Sequence, residues 1–157
     1  MKEPTIRVAG PDDIKEVTKL RIEYLDSVSP DIDPSMREST YRVNFSYLEE
    51  HLGKDCIVTL AEYDGKIVSS TYMNIYMRAG SYRMPDGIFG EIYGVYTSPD
   101  YRRRGFAGKT ILLAIDEAEK KGVRRFTLDS SQSGRSLYEE LGFEADKMQY
   151  TIMWLYK

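Results

Sequence analysis

The stretch RRRGFAGKT, residues 102–110, puts three arginines before a glycine-flanked turn, and ends on a lysine and a hydroxyl. Those residue types suit phosphate chemistry. Glycines let a backbone turn sharply and aim successive N–H groups at an anion, while basic side chains add charge. The closing Gly108-Lys109-Thr110 matches the end of a nucleotide-binding loop, in which the hydroxyl would meet a magnesium ion. The beginning does not match, because Arg103 stands where that loop needs its first glycine. Other chemistries are closed off by composition. With one cysteine, Cys56, and one histidine, His51, neither a disulfide framework nor a Cys/His zinc site can be built. Cys56 opens an apolar run and reads as a small core residue.

The elements around this loop follow from periodicity and breakers. Residues 5–8 suit a short strand. Residues 11–24 suit a helix, with Pro11 at its start and Asp12 and Asp13 in its first turn. A second, weakly amphipathic helix is expected over 35–52. CIVTLAEY and KIVSSTYMNIYM flank Asp64-Gly65, the signature of a β-hairpin. GEIYGVYTSP supplies a further strand directly before the basic loop. After it, Ala107, Ile111, Ala114, Ile115 and Ala118 form one apolar helical stripe that Gly122 ends. RRFTLDS reads as a strand, 134–141 as a short helix, and YTIMWLYK as a closing strand. Strand, basic loop, helix and strand make a βαβ unit whose helix N-terminus offers N–H groups to an anion. A nucleoside triphosphatase would place this loop after its first strand, whereas here most strands precede it.

The 157 residues suit a single domain, 1–157, and carry a net charge of −3, with positive residues dispersed outside 102–104. Nucleic acid is therefore not an expected partner. No apolar run approaches a membrane span of about 18 residues, and MKEPTIRVAG has no apolar signal core. A cytoplasmic protein with no membrane partner is expected.

Residues 101–109 resemble the acyl-CoA loop of the GNAT superfamily of N-acyltransferases, Q/R-x-x-G-x-G/A between a strand and a helix. Here the pattern is filled by Arg102, Arg103, Arg104, Gly105, Phe106 and Ala107, extended by Gly108 and Lys109. The resemblance continues through VYTSPDYRRRG and LYEELGF and implies an α+β GNAT acyltransferase fold. Its mixed central sheet is flanked by helices in the order β-α-α-β-β-β-α-β-α-β. It further implies acetyl-CoA as acyl donor, no metal, and direct transfer to a primary amine of a small molecule, peptide or protein.

By the same resemblance the loop's backbone N–H groups hold the CoA pyrophosphate. The strand before it carries a bulge at which the N–H of Val95 polarises the thioester carbonyl, and Tyr96 and Thr97 border the pantetheine arm. Tyr138 takes the position of the family's general acid. Glu91 is either the base that deprotonates the amine, directly or through water, or a solvated strand-end carboxylate. Ser131 stands where many members have an asparagine that contacts CoA, a departure that leaves fewer hydrogen-bonding groups there. Either the hydroxyls of Ser130–Arg135 or Arg135 itself make up for it, or Ser133 is simply the N-cap of the short helix. A non-catalytic acyl-CoA-binding module is the alternative, and it would keep the loop without the proton-handling pair. Both faces of TIMWLY are apolar, so the last strand is either buried on two sides or part of a homodimer interface, the latter being favoured.

Overall fold

The computed structural model describes residues 3–147 and 153–157. Five strands form one sheet in the order β1-β2-β3-β4-β5: β1 (Thr5–Val8), β2 (Cys56–Tyr63), β3 (Lys66–Met77), β4 (Ile88–Thr97) and β5 (Phe126–Leu128). The first four are antiparallel to their neighbours, and β5 runs parallel to β4. Helices α1 (Ile14–Val28) and α2 (Pro34–His51) cover one face, and α3 (Phe106–Lys120) covers the other. A short α4 (Arg135–Glu140) follows β5.

Alternation along β2 explains the three layers. Cys56, Val58 and Leu60 pack with Val17 of α1, Leu48 of α2 and Tyr72 of β3, whereas Ile57 packs with Ile111, Ala114 and Ala118 of α3. A strand buried on both faces reads as a continuous apolar run, which is what CIVTLA shows. The hairpin turn falls on Asp64 and Gly65, with φ of +52° and +72°, the pair of positive angles that a type I′ turn demands. Asp33 caps α2 by accepting from the Ser35 N–H at 2.8 Å, with Pro34 in the first turn.

Several boundaries differ from expectation. A three-residue 3₁₀ turn, Pro11–Asp13, precedes α1, and α1 then runs four residues beyond Tyr24. The strand read in RRFTLDS shrinks to Phe126–Leu128. Of the closing strand read in YTIMWLYK, residues 150–152 lie outside the described ones. Residues 153–157 form no strand and leave Trp154 and Leu155 exposed. No helix among the described residues is long and apolar enough to cross a membrane.

Candidate active site

β4 is paired unevenly. On one side β3 follows it along its length, whereas on the other β5 pairs only with Gly90, Glu91 and Ile92. Gly90 permits this brief contact, because a Cβ there would stand 2.7 Å from Met73 Sδ and 3.0 Å from Phe126 Cδ1. Beyond Ile92 the two strands part, and residues 93–97 of β4 lose a strand partner on that side. A cavity of about 550 Å³ fills the opening. Val95, Tyr96 and Thr97 form one wall, Leu137 and Tyr138 of α4 another, and Tyr24 of α1 a third.

Within the open stretch β4 bulges. Tyr93 pairs with Tyr72 and Tyr96 with Ser70, so Gly94 and Val95 together face the single residue Thr71. Such a bulge leaves one residue unpaired and re-aims its neighbours. Gly94 takes φ +57°, the left-handed region that a residue with a Cβ enters at a cost. The bulge includes Val95, the residue at which the family resemblance implies it, together with Gly94.

The basic loop closes one end of the cavity. Arg102 is extended, Arg103 has φ +58°, and Gly105, the N-cap of α3, has φ +74°. Alternating backbone of this kind gathers successive N–H groups into a concave nest. The N–H groups of residues 103–105 make no backbone hydrogen bond among the described residues, and the first-turn N–H groups of α3 join them. Arg102 and Arg103 line the cavity, and none of its lining residues is acidic, in a chain of net charge −3. Arg102 is oriented by its Nε, which donates to the Thr97 carbonyl at 3.0 Å, and by the Tyr96 ring.

The remaining basic side chains of the loop point elsewhere. The Arg104 guanidinium lies over Tyr63 and Tyr101, and the Lys109 ammonium reaches Glu3 at 3.2 Å, so neither side chain lines the cavity. Thr110 is fully buried. Its hydroxyl bonds Thr71 Oγ1 at 2.9 Å and donates to the Ala107 carbonyl at 2.9 Å, while Thr59 Oγ1 donates to the Thr110 carbonyl at 2.7 Å. This chain of hydroxyls ties the start of α3 to β2 and β3. It also removes the hydroxyl that a magnesium-binding loop would need, which corrects the triphosphatase likeness of Gly108-Lys109-Thr110.

Across the cavity, Tyr138 sits half-buried with its ring edge against Phe143 at 6.2 Å, and burial pushes its phenol above the ordinary value. It is therefore a protonated donor at neutral pH. Ser131 also lines the cavity, and its Oγ accepts from the Gly134 N–H at 3.2 Å. That bond holds the turn into α4, whose N-cap is Gly134 with no side-chain cap bond, so the capping expected of Ser133 is not made, and Arg135 pairs with Glu139. Glu91 lies outside the cavity. It stands opposite Asn74 on the α1/α2 face of the sheet, half-buried, and its carboxylate has no hydrogen-bond or ion-pair partner among the described residues.

His51 stacks on Tyr47 at 4.4 Å and bonds Asp55, and Cys56 is fully buried, so neither reaches the cavity. Residues that the sequence reading passed over are Tyr24 and Ser27 of α1, brought to the cavity by packing across more than seventy residues of chain. Their only sequence signal is their place one and two turns beyond the buried stripe of α1.

Known proteins agree with this architecture. The model of the acetyltransferase (GNAT) family matches residues 18–143. An uncharacterized N-acetyltransferase, YsnE, of Bacillus subtilis (strain 168) is 36% identical over 70 residues; the match takes in 41% of this chain and only 46% of that protein. The crystal structure of a predicted acetyltransferase with acetyl-CoA from Clostridium acetobutylicum superposes with a TM-score of 0.77 at 21% identity, covering 96% of each chain. Glucosamine-6-phosphate N-acetyltransferase from Arabidopsis thaliana has a TM-score of 0.71 at 20% identity, covering 97% of this chain and 99% of its own. At these identities the two structures speak to the fold.

Proposed function

Because this chain belongs to the acetyltransferase (GNAT) family, we propose that it moves an acetyl group from acetyl-CoA directly to a primary amine, with acetyl-CoA in the cavity beside β4. The observation that carries the proposal is the convergence on one cavity of a bulged, half-unpaired strand, a nest of free N–H groups and a half-buried tyrosine. The residues fit the group. The nest and Arg103, whose guanidinium has no partner among the described residues, suit a pyrophosphate, and the absence of carboxylates from the lining suits an anion. Apolar Val95 and Leu137 suit the pantetheine arm.

When bound, acetyl-CoA supplies the thioester acetyl group. The N–H of Val95 donates to the oxygen on which negative charge grows, and the rigid sheet fixes that donor beforehand. Tyr138 holds its proton at Oη for the departing sulfur. Glu91 takes the proton of the amine. It stands about 13 Å along β4 from Val95, at about 3.3 Å per residue, so the transfer runs through water or through an acceptor laid along the α1/α2 face. The acceptor is an amine on a small molecule, peptide or protein.

Calorimetric titration with acetyl-CoA and, in parallel, with Mg-ATP tests the donor, and thiol release with a panel of amines tests the transfer. Acetyl-CoA should bind and Mg-ATP should not. Gly105→Glu should abolish acetyl-CoA binding, because its Cβ has open space, its carboxylate brings negative charge to the nest, and φ +74° strains the turn for any residue with a Cβ; a thermal melt checks that the variant is folded. Wild-type protein that ignores acetyl-CoA, or a Gly105→Glu variant of undiminished affinity, would move the cradle elsewhere.

A further inference from the structure

Ile14, Val17 and Thr18 form the stripe that α1 buries, and the next position on that stripe is Arg21. Helical periodicity reserves such a place for an apolar residue. The guanidinium carbon instead sits 5.2 Å, 5.6 Å and 5.5 Å from the ring centres of Tyr24, Tyr72 and Tyr93. Nε and Nη1 are buried without a hydrogen-bond partner, and Arg21 forms no ion pair among the described residues. A desolvated cation normally draws a carboxylate. Here three π faces offset part of the desolvation cost and leave the charge uncancelled.

The place of this charge gives it a use. Nη1 stands 2.6 Å from where a Cβ on Gly94 would lie, so the guanidinium presses on the bulge of β4. The next peptide group carries the Val95 N–H. On the guanidinium's other side, Tyr24 lines the same cavity as Tyr138. A charge with two of its three nitrogens buried and no counter-ion among the described residues acts over several ångströms, since its energy falls only as the inverse of distance.

We infer that Arg21 is a positioning residue for acetyl transfer, holding the Gly94–Val95 bulge and placing a fixed positive charge behind the N–H that meets the growing negative charge. The inference rests on the reading of Val95 given above. A carboxylate partner would cancel the effect, which accounts for a cage made of tyrosines.

The test uses acetyl-carba(dethia)-CoA, in which a methylene replaces the thioester sulfur, labelled with ¹³C at the carbonyl. Its infrared carbonyl stretch is read free and bound to wild type, Arg21→Lys and Arg21→Met, with calorimetry of the same analogue. In wild type the bound stretch should move to lower frequency. Arg21→Lys should keep most of that shift and Arg21→Met should lose at least half, with affinities within about threefold of wild type, or about 0.7 kcal/mol. Should Arg21→Met fail to fold, Arg21→Gln supplies the neutral comparison. A full shift in the neutral variant, or an equal loss in Arg21→Lys, overturns the role of the charge while leaving the cofactor site intact. Wild-type protein that does not bind the analogue overturns the site itself, and this inference with it.

Discussion

Replacing Tyr138 by phenylalanine separates proton donation from packing. The Tyr138 hydroxyl makes no hydrogen bond among the described residues, and the edge contact with Phe143 at 6.2 Å survives in the variant. Stability should therefore change by less than about 0.5 kcal/mol. Acetyl-CoA affinity should also hold, because the nest and the β4 edge are untouched. The transfer step should lose the contribution of a positioned acid, at the low end about 100-fold in kcat, or about 2.7 kcal/mol of barrier. Burial raises the Tyr138 phenol above its ordinary value, so the acid form persists at neutral pH and is lost as pH rises through the raised value. The wild-type kcat profile should accordingly carry a high-pH limb lying above pH 10, and Tyr138→Phe should lack it. Thiol release at saturating acetyl-CoA gives kcat, while calorimetry and a thermal melt check binding and fold. An unchanged kcat, or a loss confined to acetyl-CoA affinity, would refute the assignment.

Gly94→Ala should destabilise the protein by about 2 kcal/mol in chemical denaturation, since φ is +57° and the new Cβ would lie 2.6 Å from Arg21 Nη1 and 3.3 Å from Tyr72 Cδ2; a change below about 0.5 kcal/mol would mean the bulge is not held this way. Thr110→Val strands the buried Thr71 hydroxyl, whose partner is Thr110 Oγ1, and should cost about 2 kcal/mol. Adding Thr71→Val should recover part of that loss, and a strictly additive double variant would show that the two hydroxyls are not coupled. Burial pushes the Cys56 thiol from 9.0 up to about 11. The folded chain thus keeps a proton that the unfolded chain sheds, so stability is intact below pH 9 and falls by about 1.4 kcal/mol per pH unit towards pH 11. Tyr47, raised to about 12 by burial, extends the decline above pH 10. Between pH 9 and pH 10 the stability of Cys56→Ala should fall less steeply than that of wild type, the remaining decline coming from the buried tyrosines, and an identical slope in both proteins would refute the account.

Local chemistry made much of this fold legible. The Asp64-Gly65 turn, the stop at Gly122 and the loop between β4 and α3 each depend on a few adjacent residues, and each lies where the sequence places it, whereas the bulge at Gly94 and Val95 is expected only from the family resemblance. What depends on distant packing was hidden. The close approach of β4 and β5 needs Gly90 where Phe126 crosses it, and Tyr24 joins the cavity because α1 lies over β4. Arg21 interrupts a stripe that periodicity would fill with an apolar residue, and only the three rings around it show how it is accommodated.

The start of α3 shows how a small error in phase changes a functional reading. The sequence assigns its buried stripe to Ala107, Ile111, Ala114, Ile115 and Ala118, yet the buried residues are Phe106, Thr110, Ile111, Ala114 and Ala118. The stripe is turned by roughly 50° of helix, about half a residue's step, because the Phe106 ring, not the Ala107 methyl, anchors the first turn against Tyr63. That rotation carries Thr110 inward to Thr71 and turns Lys109 outward to Glu3. A helix begun in this way withholds its Lys and Thr side chains from any ligand and presents its first-turn N–H groups instead. Under the proposed function, the loop would meet a phosphate with backbone N–H groups, set by the positive φ of Arg103 and Gly105 and aided by the Arg103 side chain that lines the cavity. The same letters that resemble a triphosphatase loop therefore build a different cradle.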